Sequence, residues 1–115
     1  VPENEHKLLP ADGIYLVYVT SEVTEGYGLC SIGYRPTFDD GKHTIEVYLI
    51  ESPEQSLYDH ELTIHFFNRL RQEEKFESAD ALIAQMERDL AEGEELIAKH
   101  NPWKTYQEEQ LNAIN

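Results

Sequence analysis

The chain has 115 residues, a formal net charge of -14 from 23 acidic and 9 basic side chains, and a single cysteine. That length fits one domain with a core of its own, and the lone thiol excludes an internal disulfide. The acidic field disfavours nucleic acid and anionic membrane surfaces as partners, and no apolar run approaches the ~20 residues that cross a bilayer as a helix.

No basic and apolar stretch of the secretory kind opens the chain. One thiol among apolar neighbours suits a reducing compartment, so the cytoplasm is the expected location and Cys30 is expected to be a small buried hydrophobe. Val1-Pro2 carries no start signal, and a fragment of a longer chain is expected.

Residues 1–12 read as an extended opening segment with Pro2 and Pro10. Gly13 then opens Ile14-Tyr-Leu-Val-Tyr-Val19, which is apolar or aromatic on both alternating faces and so predicts a well-buried strand. Glu25-Gly26 marks a turn, and Tyr27-Gly-Leu-Cys-Ser-Ile32 predicts a second strand paired back as a hairpin. A loop from Gly33 to His43 follows, with Asp39-Asp40-Gly41 as its turn signal. A third strand covers 44–50, and Ser52-Pro-Glu-Gln-Ser56 is a polar connector. The last strand, Glu61 to Phe67, alternates Leu62, Ile64 and Phe66 against Thr63, His65 and Phe67.

The period then changes. Ser78 is a good helix N-cap, and Asp80 falls in the first turn, where the helix dipole favours an anion. Ala79, Leu82, Ile83, Met86 and Leu90 recur at helical spacing, with Ile97 a heptad after Leu90; the stripe predicts a packing face. Gly93 inside the helix costs about 1 kcal/mol relative to alanine and suits a kink or a frayed turn. Asn101-Pro102 ends the helix. The tail from Trp103, polar apart from Trp103, Tyr106 and Leu111, either docks loosely or forms a short helix. Several short strands followed by one amphipathic helix predict a small antiparallel barrel or sandwich with a helix on its side or end.

The most distinctive stretch is Gly33-Tyr-Arg-Pro-Thr-Phe38 and the strand after it. Glycine supplies backbone freedom, proline fixes φ, and Arg35 is a permanent planar cation. Arg35 reads either as a surface arginine in a turn or as a cation for a phosphate or a flat ring. Thr37 either bonds a ligand or closes the turn. On the 44–50 strand Glu46 shares a face with Thr44, Tyr48 and Ile50. It reads either as an ordinary exposed glutamate or as a general base held by a rigid strand. Arg69, Arg71 and Lys75 are three of the nine basic residues, gathered between Phe67 and Phe76. They balance Glu73, Glu74 and Glu77, or they form one wall of a pocket for an aromatic or phosphorylated ligand. The five histidines show no metal-ligand spacing, and no glycine-rich phosphate loop or nucleophile elbow is present.

Five pieces in order carry a family resemblance. They are Leu9-Pro-Ala-Asp-Gly-Ile-Tyr15, Ser31-Ile-Gly-Tyr-Arg-Pro-Thr-Phe38, Ile45-Glu-Val-Tyr-Leu49, Leu57-Tyr58, and Phe67-Asn-Arg-Leu-Arg-Gln-Glu-Glu-Lys-Phe-Glu-Ser78 leading into the helix. Together, across about residues 8–97, they resemble the riboflavin kinase family, in particular the C-terminal kinase module of bacterial bifunctional FAD synthetases. The resemblance implies a Greek-key antiparallel β-barrel, six-stranded in the family, with a C-terminal α-helix. It implies transfer of the γ-phosphate of ATP to the terminal ribityl hydroxyl of riboflavin, giving FMN, with Mg²⁺. It puts the catalytic base on Glu46, the nucleotide and substrate loop on Gly33, Arg35 and Thr37, and the flavin side on Arg69, Arg71 and Phe76.

The family's metal and phosphate ligands sit in a Pro-Thr-Ala-Asn segment ahead of the Leu-Pro-Ala-Asp-Gly stretch, and this chain has no such segment. The resemblance therefore implies one domain over 1–115, core 8–100 and tail 101–115, without its first strand and without metal ligands of its own. It implies an adenylyltransferase domain upstream in the whole protein, little turnover by these residues alone, and open barrel edges able to self-associate. Two rivals stand beside it: a flavin-binding or assembly barrel without phosphoryl transfer, and a purely structural barrel like those of translation factors.

Overall fold

A computed structural model describes residues 10–34, 43–50 and 61–114. The chain falls into two compact units, Val1–Lys75 and Phe76–Asn115. The turn signal at 39–41, the connector at 52–56, and the sequence pieces at 1–9 and 57–58 lie outside the described residues.

The first unit holds four strands: β1 (Gly13–Thr20), β2 (Glu25–Tyr34), β3 (His43–Leu49) and β4 (Thr63–Arg71). Their order in the sheet is β3-β2-β1-β4, with every pairing antiparallel. Three consecutive strands with the fourth returning beside the first is the Greek-key order. This is the predicted antiparallel architecture. Among the described residues the sheet is not closed, and β3 and β4 are its edges.

The core grows from the pleat of β1. Tyr15, Val17 and Val19 point to one side and meet Cys30, Ile32 and Leu49, with Ile45, Val47, Leu62, Ile64 and Phe66 packed against them. Tyr15 and Phe66 meet edge to face at 5.4 Å. On the opposite side Ile14 and Leu16 are also buried, so β1 is covered on both faces, as its unbroken apolar run predicts. Each side chain such as Leu16, Val17 or Ile32, removed wholly from water, contributes roughly 2 kcal/mol.

The hairpin turn falls four residues earlier than Glu25-Gly26. Ser21 Oγ accepts from the N–H groups of Val23 (3.2 Å) and Thr24 (3.0 Å) and donates to the Thr24 carbonyl. That serine turn closes the loop, while Glu25 and Gly26 pair with Thr20 and Val19. β4 also runs four residues beyond Phe67. Its pairing with β1 shifts register twice, between Ile14 and Tyr15 and between Leu16 and Val17. Each shift leaves one extra residue, Leu70 and Phe67, on β4. Strict alternation therefore stops at Phe66.

The second unit holds α1 (Ala79–His100) and α2 (Pro102–Ile114). Ser78 caps α1 as predicted, accepting from the Ala81 N–H at 3.1 Å, with Asp80 in the first turn. Asn101 ends it at φ 38°, donating to the Ile97 carbonyl, and Pro102 opens α2. The tail from Trp103 thus belongs to a helix, the 13 residues Pro102–Ile114, with Trp103 and Tyr106 stacked. α1 passes through Gly93 without a break, and Gly93 is buried. Asp89, a heptad after Leu82, is buried too and accepts from Gln85 Nε2 at 2.9 Å. The buried residues of α1 thus lie in its middle, whereas Leu82, Ile83 and Met86 nearer its start remain between 41% and 52% exposed.

Candidate functional site

Glu46 lies between Ile45 and Val47, which pack on the core, so the pleat turns Glu46 to the opposite face. Following the register across that face gives one row: Glu46 on β3, Ser31 on β2, Ile14 on β1 and Arg71 on β4. The next position along β2 on the same face is Gly33, opposite Thr44. Glu46 is exposed and Ser31 half-buried, so the β3 end of the row opens to solvent.

Gly33 has a different use from the one its place in a loop motif suggests. It is buried within β2, and among the described glycines only Gly13 has a positive φ. A Cβ added at Gly33 would overlap the carboxylate of Glu73. Gly33 therefore supplies room rather than backbone freedom. It brings a second carboxylate to the face that carries Glu46. Sequence reasoning missed this role because Glu73 stands in a run of mixed charges that reads as local balance.

The two arginines of β4 separate. Arg71 takes the register position opposite Ile14, in the Glu46 row, and its Nη1 donates to the Gln72 carbonyl at 3.1 Å. Arg69 pairs with Tyr15, and its Nη2 donates to the Asp12 carbonyl at 2.6 Å. Arg69 Nε and the Arg71 carbonyl oxygen each lie 2.8 Å from where a Cβ of Gly13 would stand. Gly13, at φ +155°, thus admits both groups to the start of β1. Arg35 and Thr37 lie outside the described residues. Phe76 is half-buried and belongs to the second unit.

Burial pushes the Cys30 thiol up to about 12, which keeps it a neutral hydrophobe rather than a nucleophile. Burial also lowers His65, which sits opposite Tyr18 on β4. A magnesium ion at a phosphoryl-transfer site takes one or two carboxylates together with substrate phosphates rather than a cage made by the protein alone. Among the described residues no group of three or more His, Cys, Asp or Glu side chains could hold a metal, so they supply no such cage. No described helix is long and apolar enough to cross a membrane.

Residues 1–97 match a family model described as Flavokinase: Riboflavin kinase. The chain is 37% identical over 95 residues to a bifunctional riboflavin kinase/FMN adenylyltransferase of Pseudomonas fluorescens, covering 82% of this chain and 30% of that protein. It is 36% identical over 97 residues to the protein of that name from Listeria monocytogenes, covering 84% and 31%. A riboflavin kinase of Mus musculus is 28% identical over 100 residues, covering 84% of this chain and 64% of the mouse protein. Among solved structures, one named as a macrolide-efflux protein from Streptococcus pneumoniae aligns with a TM-score of 0.63 at 30% identity, covering 79% of this chain and 28% of that one. The chain thus spans about a third of the length of the bacterial relatives. α2 lies beyond the part that the family model matches.

Proposed function

Because this chain belongs to the riboflavin kinase family, we propose that it is the kinase module of a larger FAD-synthesising protein and that Glu46 is its general base. The module phosphorylates the terminal ribityl hydroxyl of riboflavin. The observation that carries the reading is the place of Glu46: a carboxylate on the open face of a paired strand, across from Ser31, in the segment Ile45-Glu-Val-Tyr-Leu49. Its carboxylate takes the hydroxyl proton as the oxygen bonds to the γ-phosphorus of ATP, and the bond from that phosphorus to the bridging oxygen breaks to leave ADP. Gly33, Arg35 and Thr37 border the nucleotide. Arg69, Arg71 and Phe76 belong to the flavin side, with Arg69 acting from its place against Asp12 and Gly13.

On this reading residues 1–115 act as one domain, core 8–100 and tail 101–115. The Mg²⁺ that the resemblance implies would be held by a Pro-Thr-Ala-Asn segment of the kind the family carries, and an adenylyltransferase domain stands in the same polypeptide. The work is done in the cytoplasm, on small molecules rather than nucleic acid or membrane. The 115 residues alone turn over little, and the sheet edges are where copies associate.

The test is FMN formation from riboflavin and Mg-ATP by the protein with its upstream segment, and by the 115 residues alone. Glu46→Gln in the longer protein lowers kcat by about 10²–10⁴-fold, the range for a lost general base. Near-full turnover by that variant sinks the assignment. Riboflavin quenching without ATP consumption by the longer protein favours the non-catalytic flavin barrel.

A further inference from the structure

We propose that Glu73 is a positioning residue of the acceptor side of this site: seated on the bare face of Gly33, its carboxylate ties the segment that leaves β4 to the end of β2. The inference rests on the kinase reading and goes beyond it, because the family resemblance assigns Glu73 no role and the residue pattern gives it only local charge balance.

Three observations carry it. First, the contact is close enough that not even a methyl group fits at Gly33 without displacing the carboxylate. Second, Gly33 lies two residues along β2 from Ser31, on the face that Ser31 shares with Glu46. One pleat repeat, roughly 7 Å, therefore separates the Glu73 seat from the Glu46 row along the strand. Third, Glu73 follows Arg71 by two residues, and Arg71 holds the other end of that row. Fixing Glu73 on β2 therefore fixes the chain between the row's cation and Lys75, the last residue of this unit. The segment otherwise continues directly from β4, an edge strand among the described residues whose register already shifts twice. A wall that must be ordered anew each time a ligand binds weakens binding by the ordering cost.

Gly33→Ala and Glu73→Ala then do the same thing by different means. One fills the seat and the other empties it. Each weakens riboflavin binding by about tenfold. The double variant is no worse than either single one, because the interaction is lost only once. Glu73→Gln, of the same size and able to occupy the same space, stays within about threefold of wild type. The assay is riboflavin fluorescence titrated with the longer protein in the presence of Mg-ADP, with urea unfolding of each variant run alongside.

Equal single and double losses with rescue by glutamine support the role. Losses that multiply, or a glutamine variant as poor as alanine, overturn it. If every variant unfolds at the wild-type urea concentration but Gly33→Ala binds as wild type does, the seat is not used and the proposal fails. Binding data that follow this pattern while Glu46→Gln retains turnover overturn the base assignment alone. No flavin binding by the wild-type protein overturns the kinase reading and this role with it.

Discussion

Three glycines of the sheet form a graded series that tests the backbone account directly. At Gly13 an alanine meets two obstacles. Its φ of +155° lies where side chains are rarely tolerated, a strain of about 1–3 kcal/mol. Its Cβ would also stand 2.8 Å from the Arg71 carbonyl oxygen, a main-chain atom paired into the sheet that cannot swing aside. Overpacking of that kind adds about 1–3 kcal/mol. At Gly28 only the second obstacle exists, with the Tyr48 carbonyl oxygen at 2.8 Å. At Gly26 nothing lies within 4 Å. The substitutions should therefore cost about 4 kcal/mol, about 2 kcal/mol and close to nothing, in that order. Against a total of roughly 5–15 kcal/mol, Gly13→Ala removes a large share of the stability. Urea unfolding followed by far-ultraviolet circular dichroism reads this as a fall in midpoint of about 2 M for Gly13→Ala, at slopes near 2 kcal/mol per molar. A Gly13→Ala protein as stable as Gly26→Ala refutes the account of how β1 begins.

Two further outcomes follow from titration. Burial disfavours the His65 imidazolium, so near its ordinary value of 6.5 the unfolded chain binds more protons than the folded one. The stability tied to His65 is full above 6.5 and is lost as pH falls through the lower folded value. Wild type minus His65→Gln stability should therefore drop on going from pH 8 to pH 5, and a flat difference contradicts it. Cys30, wholly buried and pushed up to about 12, should react with a thiol reagent only as fast as the protein opens. Rapid labelling under native conditions contradicts its place in the core.

The strands were legible where hydropathy and geometry coincide. The unbroken apolar run of β1 and the Ile45, Glu46, Val47 alternation each mark a pleat with a definite covering, and both strands form there. The Ser78 cap and the Asn101-Pro102 stop were equally plain, because each is a local hydrogen-bonding rule. What stayed hidden depends on contacts between distant residues. The hairpin turn went to a serine whose side chain does the closing, although a glycine nearby reads as the stronger signal. A buried Asp89 carries no hydrophobic mark, so the covered part of α1 could not be placed by periodicity. Glu46 was visible as a carboxylate out of pattern on a strand. Its neighbour Glu73 was not, because what distinguishes it is a seat 40 residues back in the chain, on a glycine that motif reading assigns to flexibility.

The two extra residues of β4 make that strand a matter of parity. Nine residues, Thr63–Arg71, are matched to the seven from Ile14 to Thr20. In an even ladder Arg69 and Arg71 would stand on the same side. With Leu70 out of step they serve opposite sides, Arg69 at the start of β1 and Arg71 in line with Glu46. Loss of a paired residue there does more than shorten a strand: a slip of one place turns the side chains beyond it to the other face unless one of the two extra residues takes up the slack. β4 therefore tolerates changes of residue far better than changes of count.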